Sequence, residues 1–408
     1  MVSYGAGRCA VQPAPKSGRF AAILLCTFLS VVSAGAAIAA DTPSIAELTE
    51  AINRDPNHAI AFKDRGVAYG RQGDYDSAIA DFTEAIRLDP NYAAAFNNRG
   101  LAYSKKGDPD RAMADYSEAI RLEPDYAAAF NNRGAGYGRK GDYDRAIADL
   151  TEAIRLDPKN AVSFNDRGVA YDRKGDLDRA IADLSEAIRL NPDYPVAFNS
   201  RGVAYGKKGD YDHAIADYSE AIRLNPGYAF AFSNRGTVYG NKHDYDRAIS
   251  DLTEAIRLNP KYAPSFHNRG LNYSHKRDYD RAIADHSEAI RLDPAYATAF
   301  NSRGVDYSNK HDYDRAITDY SEAIRLNPKS AFAFNNRGAA YSDKGDYERA
   351  IADFTEAIKL DPTDADVFKN RGLAYGQNGN YGRAIADFAT TIKLDPKRLV
   401  RAACKFVC

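Results

Sequence analysis

Eleven prolines recur along the chain at a constant interval of 34 residues, from Pro56 to Pro396. A fixed period in this range indicates an array of stacked structural units rather than separate domains. A chain of 408 residues is too long for one ordinary hydrophobic core unless that core is repeated. The period therefore predicts ten consecutive units over residues 59–398.

One unit shows how the sequence forms local structure. Phe96, Gly100 and Tyr103 recur at helical spacing and predict a first helix with one apolar face. Gly107 suits a left-handed C-cap for that helix, and Asp108 is a typical N-cap for a second helix. Each unit is therefore a hairpin of two helices. A lone hairpin cannot bury both of its apolar stripes, so neighbouring units must stack.

These columns resemble the tetratricopeptide repeat family. The family pattern W-x2-L-G-x2-Y…A…P appears here as Phe96-x2-Arg99-Gly100-x2-Tyr103…Ala112…Pro124. The resemblance implies an all-α fold, a right-handed superhelical solenoid of antiparallel helix hairpins whose concave face is lined by the first helices. Two columns depart from the family pattern, because Phe replaces Trp and Arg replaces Leu.

Four segments follow from the period. Residues 1–40 are predicted to be a secretory signal peptide, and residues 41–58 a capping helix that corresponds to the second half of a unit. Residues 59–398 form the ten tandem units, and residues 399–408 a short capping tail. Cys404 and Cys408 lie four residues apart in that tail, and the sequence leaves open whether they form a disulfide.

The first segment has the features of an export signal. Basic residues precede the apolar run 20–32, and Ala37 and Ala39 then fit an A-x-A peptidase site. We therefore expect export to the periplasm or the extracellular space. The alternative is an uncleaved membrane anchor at residues 20–40, which is just long enough to span a bilayer.

A column of arginines and a column of aspartates run through all ten units, as in Arg99 with Asp115 and Arg133 with Asp149. An unpaired buried charge costs several kcal/mol, so these arginines need partners. We expect a ladder of Arg–Asp ion pairs, either between the two helices of a unit or between neighbouring units. Arg111 is a second candidate partner for Asp115, and the functional alternative is an arginine row that grips anionic ligands.

Catalytic and metal-binding motifs are missing from the sequence. It contains no nucleophile elbow, phosphate-binding loop, dinucleotide fingerprint or paired-cysteine metal site. The net charge of −1 argues against a nucleic-acid partner, which favours a basic face. His286 occupies an aromatic or leucine column and is predicted to be core. We therefore predict no enzyme activity, no cofactor and no metal.

The residues after the aromatic Phe of each first helix are expected to face the concave groove, if the geometry of the family holds. An amide can donate to a peptide carbonyl and accept from a peptide N–H, so an asparagine ladder can bind an extended backbone. The alternative is that asparagine was copied along with the repeat. The predicted groove residues are Asn97, Asn131, Asn165, Asn199, His267, Asn301 and Asn335, then Asn98, Asn132, Asn234, Asn268 and Asn336 in the next column, with Phe230 and Phe332 as apolar additions.

The sequence therefore predicts a non-catalytic protein–protein interaction scaffold that binds extended peptide segments of a protein partner. The alternative is a structural spacer in a cell-envelope or polysaccharide-export assembly. Tyrosines at the repeat junctions, such as Tyr194, would then be candidates for stacking on sugars, although such residues are more often packing residues.

Overall fold

The computed structural model describes residues 43–396, and this part of the chain is all-helical, with no strand. The expected all-α array of antiparallel hairpins is confirmed. The predicted signal at 1–40 and tail at 399–408, including Cys404 and Cys408, lie outside the described residues.

The described chain divides into two compact units, residues 43–226 and residues 227–396. The helices of residues 43–226 are α1 (Ile45–Arg54), α2 (Ala59–Gln72), α3 (Tyr75–Leu88), α4 (Ala93–Lys106), α5 (Pro109–Leu122), α6 (Ala127–Lys140), α7 (Tyr143–Leu156), α8 (Ala161–Lys174), α9 (Leu177–Leu190), α10 (Pro195–Lys208) and α11 (Tyr211–Leu224). The helices of residues 227–396 are α12 (Ala229–Asn241), α13 (Tyr245–Leu258), α14 (Ala263–His275), α15 (Tyr279–Leu292), α16 (Ala297–Asn309), α17 (Tyr313–Leu326), α18 (Ala331–Asp343), α19 (Tyr347–Leu360), α20 (Ala365–Gln377) and α21 (Tyr381–Leu394).

Local capping separates the two helices of each repeat. Gly107 ends α4 in the left-handed region (φ 84°), and the Asp108 side chain accepts a hydrogen bond from the backbone N–H of Arg111 at the start of α5 (3.1 Å). His243, Arg277 and His311 occupy the glycine position in three repeats and adopt the same region at φ 62°. That conformation is unfavourable for a residue with a Cβ, so the turn is imposed by the packing of the two helices.

The invariant small residues mark the closest approach of the helices in a repeat. A Cβ on Gly100 would lie 2.8 Å from Cε1 of Tyr116, and Ala112 beside it is 1% exposed. Contact this close leaves no room for a methyl group. The glycine therefore allows an aromatic ring of the second helix to pack directly on the backbone of the first.

Stacking of the repeats brings successive first helices into contact within each of the two compact units. Within residues 43–226 and within residues 227–396, each second helix packs on the next first helix, and successive first helices contact each other, whereas successive second helices do not. At the N-terminal end, α1 packs against α2 through the buried side chains of Leu48 and Ile52. Ser44 and Glu47 cap α1 reciprocally, with Ser44 N donating to Glu47 Oε2 (2.7 Å).

The arginine and aspartate columns meet within each repeat. Arg99 donates from Nε and Nη2 to the two carboxylate oxygens of Asp115, each at 2.8 Å, and Nη1 donates to Thr83 Oγ1 of the preceding repeat (3.2 Å). The guanidinium also lies over the ring of Phe96, with its Cζ 5.5 Å from the centroid. The two departures from the family pattern therefore contact each other. The bidentate pair recurs as Arg65–Asp81, Arg133–Asp149, Arg167–Asp183, Arg201–Asp217, Arg235–Asp251, Arg269–Asp285, Arg303–Asp319, Arg337–Asp353 and Arg371–Asp387.

The second candidate partner of Asp115 is engaged elsewhere. Arg111 forms an ion pair with Asp108 (2.5 Å) and lies over the ring of Tyr103, 4.5 Å from its centroid. Asp115 therefore pairs with Arg99. The pKa of Arg99 is raised because its guanidinium donates hydrogen bonds to this carboxylate. The prediction that Arg111 is a candidate partner for Asp115 is wrong.

Replacing Asp149 by Asn should lower the free energy of unfolding by about 3 kcal/mol, because the mostly buried Arg133 cation loses its counter-charge. Glu152→Gln on the same helix is the matched control. Glu152 forms an exposed ion pair with Arg155, and exposed pairs contribute less than about 1 kcal/mol. Urea denaturation followed by circular dichroism measures both variants, and equal losses would contradict the role of the ladder.

Candidate functional site

The candidate binding surface is one side of the first helices. We number the positions of a repeat from the first residue of its first helix, so that Ala93 is position 1 in α4. Positions 2, 6, 9 and 13 lie within an arc of about 60° on an α-helix. We call these four columns the first-helix face.

Apolar side chains are exposed at two columns of this face. Ile60 and Phe332 at position 2 are 53% and 46% exposed, and Leu101 and Leu373 at position 9 are 37% and 52% exposed. In residues 43–396, every other large hydrophobic side chain with comparable exposure lies on α21. Exposed apolar side chains on one surface are typical of an interaction site.

Asparagines at position 6 lie between these apolar columns and are partly exposed. Asn132 Nδ2 donates to Asn97 Oδ1 of the preceding repeat (2.9 Å), and Asn336 donates to Asn301 in the same way (3.1 Å). The side chains thus connect neighbouring first helices. The other predicted residues of this column, Asn98, Asn234 and Asn268, are also partly exposed, and Asn268 Nδ2 donates to Thr237 Oγ1 (3.0 Å).

Position 5 was predicted to face the groove, and for three residues this prediction is wrong. Asn97, Asn165 and His267 are only 5%, 0% and 7% exposed. Position 5 lies at the edge of the face. Asn97 accepts a hydrogen bond from Asn132 of the next first helix (2.9 Å), whereas His267 packs against His286 and Tyr296, with ring centroids 5.1 Å apart. A buried side chain cannot contact a ligand, so these residues serve packing between repeats.

The remaining predicted residues of position 5 keep part of their surface exposed, and their role in binding stays a prediction. Asn131, Asn199, Asn301 and Asn335 are half-buried. Asn131 Oδ1 accepts from Ser163 Oγ of the next repeat (2.8 Å). At position 2, Phe230 packs edge-on against Tyr262 (ring centroids 5.0 Å apart) and is partly buried.

The arginine ladder is engaged within the protein. The three donor nitrogens of Arg133 contact Asp149 and Ser117 at 2.7–3.3 Å. These contacts favour the structural interpretation of Arg99, Asp115, Arg133 and Asp149 over an arginine row that grips anions. Tyr194 at a repeat junction is 4% exposed, so it is not placed to stack on a sugar.

A buried histidine–carboxylate pair occupies the core of residues 227–396. His286 lies against Gly270, and its Nε2 is 3.4 Å from Asp306 Oδ2, with both side chains fully buried. Burial lowers the pKa of His286 well below its usual range and raises the pKa of Asp306 to about 7. In residues 43–396, no cluster of three or more His, Cys, Asp or Glu side chains could hold a metal ion.

Two features of the first helices were not singled out as sites from the sequence. Five consecutive repeats carry a cation at position 13, and alignment of the repeats would have revealed this column. Asp166 at position 6 is buried, where the preceding repeat has Asn132 and the following repeat has Ser200. Its Oδ1 accepts a hydrogen bond from Asn165 Nδ2 (3.1 Å).

Family models cover nearly all of the described chain. Models described as "Tetratricopeptide repeat" match residues 44–195, 195–262, 263–296 and 365–398, and one described as "TPR repeat" matches residues 307–379. The chain belongs to the tetratricopeptide repeat family. No curated protein sequence gives a significant match.

Solved structures support the same fold for this tetratricopeptide repeat protein. The Cut9–Hcn1 hetero-tetramer of the APC/C matches with a TM-score of 0.51 at 17% identity, over 86% of this chain and 90% of that chain. The human IFIT1 dimer with m7Gppp-AAAA matches with a TM-score of 0.50 at 16% identity, over 87% and 96%. At these identities the likeness concerns the fold alone.

No helix in residues 43–396 of this tetratricopeptide repeat protein has the length and apolar character needed to cross a membrane.

Asp166→Asn should change the pH dependence of stability. Burial raises the pKa of Asp166 to about 7, from an ordinary value of 3.8, so between these values the folded state holds a proton that the unfolded state lacks. Stability is therefore lost as pH rises through this range, by up to about 1.4 kcal/mol per pH unit. The variant removes this loss. The difference in the free energy of unfolding between the variant and the parent should therefore grow in favour of the variant between about pH 4 and pH 7.

Asp193→Asn removes an exposed carboxylate and controls for the change of net charge. Thermal denaturation across this pH range measures all three proteins. A parent-to-Asp166→Asn difference that stays constant with pH would contradict the prediction.

Proposed function

We propose that this chain is a non-catalytic scaffold that binds an extended peptide segment of a partner protein on its first-helix face. Tetratricopeptide repeat proteins are generally scaffolds without catalytic activity and typically bind protein or peptide partners. The proposal rests on the exposed apolar side chains Ile60, Leu101, Phe332 and Leu373.

The chemistry of the face suits a peptide. Exposed apolar side chains can anchor hydrophobic residues of a ligand, since buried anchors contribute most of the energy of protein interfaces. The partly exposed amides of Asn132 and Asn336 lie at position 6 of the same face, each within its own unit, and already bond across repeats. An amide has two donors and an acceptor with two lone pairs, so it can keep such a bond and still bind a peptide group.

Selection from a displayed library of random peptides on the immobilised chain tests the proposal. Peptides should be enriched, and the variant Leu101→Gln, Phe332→Gln, Leu373→Gln should bind them at least about tenfold more weakly, because the apolar anchors are lost. The matched control is Ala80→Gln, Ala114→Gln, Ala352→Gln, which alters exposed positions of second helices. A structural spacer would enrich no peptide, and equal binding by both variants would place binding elsewhere.

We also propose that the chain is exported to the periplasm or the extracellular space. The support is the order of residues 1–40, in which basic residues, an apolar run and the Ala37–Ala39 site follow one another. Mass spectrometry of protein recovered from outside the cytoplasm should find a chain that starts at Ala40, whereas Ala39→Phe should prevent cleavage. An intact N-terminus in the membrane fraction would instead support an anchor at residues 20–40.

A further inference from the structure

The first-helix face of residues 43–226 carries a row of cations. Position 13 is basic in each of the five repeats of this unit, whereas residues 227–396 have no lysine or arginine at that position. The basic residues are Arg71, Lys105, Arg139, Arg173 and Lys207, and the corresponding residues of the second unit are Asn241, His275, Asn309, Asp343 and Gln377. We call the five basic residues the position-13 row.

The next column, position 14, is also basic in four of these five repeats, the exception being Gln72, but it has a structural role. Lys140 donates to Asp110 of the preceding repeat, and Lys174 donates to Asp144, both at 2.5 Å. These exposed ion pairs connect successive repeats and balance the charge of the lysines. The position-13 row makes a different set of contacts.

Two members of the row are held close together. Arg139 Nη2 donates to Ser104 Oγ (3.0 Å), and Ser104 directly precedes Lys105 on the neighbouring first helix. The pKa of Lys105 is lowered by partial burial and by the nearby Arg139 cation. Two like charges that repel each other on a partly exposed face destabilise the unliganded protein, and an anionic ligand would relieve this repulsion.

Carboxylates lie near two members of the row. Lys207 Nζ donates to the buried Asp172 (2.5 Å), at the end of the row near residue 226. Asp166 lies near Arg139, but its raised pKa of about 7 leaves it partly protonated near neutral pH.

We infer that the position-13 row binds an acidic extended segment of the partner protein, with a carboxylate at about every third residue. Packed helices lie roughly 8–10 Å apart, and an extended chain advances about 3.3 Å per residue. Three residues of the ligand therefore match the step from one first helix to the next. This inference rests on the proposed function and specifies its ligand for residues 43–226.

The surroundings of the row favour a protein ligand over a nucleic acid. Position 9, one turn before the row on each first helix, is apolar in this unit, as at Leu101 and Val169, and position 6 carries the amides of Asn98 and Asn132. Within residues 43–226, none of these four columns carries an aromatic side chain. Nucleic-acid bases would therefore have no ring on this face to stack on.

Fluorescence anisotropy with the full chain and a labelled peptide tests the inference. The probe is a Glu-Ala-Ser repeat of about eighteen residues, long enough to pass five first helices, and a Gln-Ala-Ser repeat is its uncharged counterpart. The parent should bind the Glu peptide at least about tenfold more tightly than the Gln peptide, and high salt should weaken this binding.

Two variants with the same change of charge locate the site. Arg71→Gln, Lys105→Gln, Arg139→Gln should lose at least about tenfold in affinity for the Glu peptide. Lys106→Gln, Lys140→Gln, Lys174→Gln removes three cations one position further along and should lose less than about threefold. Circular dichroism of both variants establishes that the helices are retained.

Equal losses in the two variants would overturn the inference, because the effect would then reflect only the total charge. Tighter binding of a single-stranded RNA of similar length than of the Glu peptide would overturn it in favour of a nucleic-acid ligand. If the Glu peptide fails to bind while library peptides bind, the inference is wrong and the proposed scaffold function is retained. If neither kind of peptide binds, both the inference and the proposed function are wrong.

Discussion

The bidentate Arg–Asp pair is the interaction on which the repeat depends. In each repeat the arginine of the first helix binds the aspartate of the second. Within residues 43–226 its third nitrogen also reaches a hydroxyl of the preceding second helix, as Arg99 does with Asp115 and Thr83. One side chain therefore joins the two helices of a repeat and also joins that repeat to its neighbour. Because the pair is mostly buried, removing either partner would leave the other charge uncompensated.

The same pair explains why this array departs from its family at two columns together. The Phe96 ring lies under the Arg99 guanidinium, with 5.5 Å between the ring centroid and Cζ, so the aromatic column supports the cation from one side. The glycine that follows the arginine allows Tyr116 to pack on the backbone of the first helix. The polar ladder and the close helix contact thus occupy adjacent positions, and each holds the other in register.

Part of the candidate site was predicted from the sequence, namely the partly exposed asparagines of position 6 and Phe332, whereas the exposed leucines of position 9 were not. The first helices were expected to form the binding face, and they carry the exposed apolar residues Leu101 and Phe332. The emphasis on position 5 was wrong where Asn97 and Asn165 are buried. Positions 5 and 6 differ by about 100° around a helix, so a small rotation of neighbouring first helices decides which of them faces solvent.

The sequence by itself determined the repeat, the hairpin and the ends of its helices, because caps such as Asp108 and Gly107 act within a few residues. It also contained both charge columns and the position-13 row. Only the tertiary structure decided that Arg99 reaches Thr83 of the preceding repeat, and that Asp166 is buried with a pKa of about 7. These outcomes depend on how one hairpin rests on the next, and that orientation is set by the combined packing of many side chains.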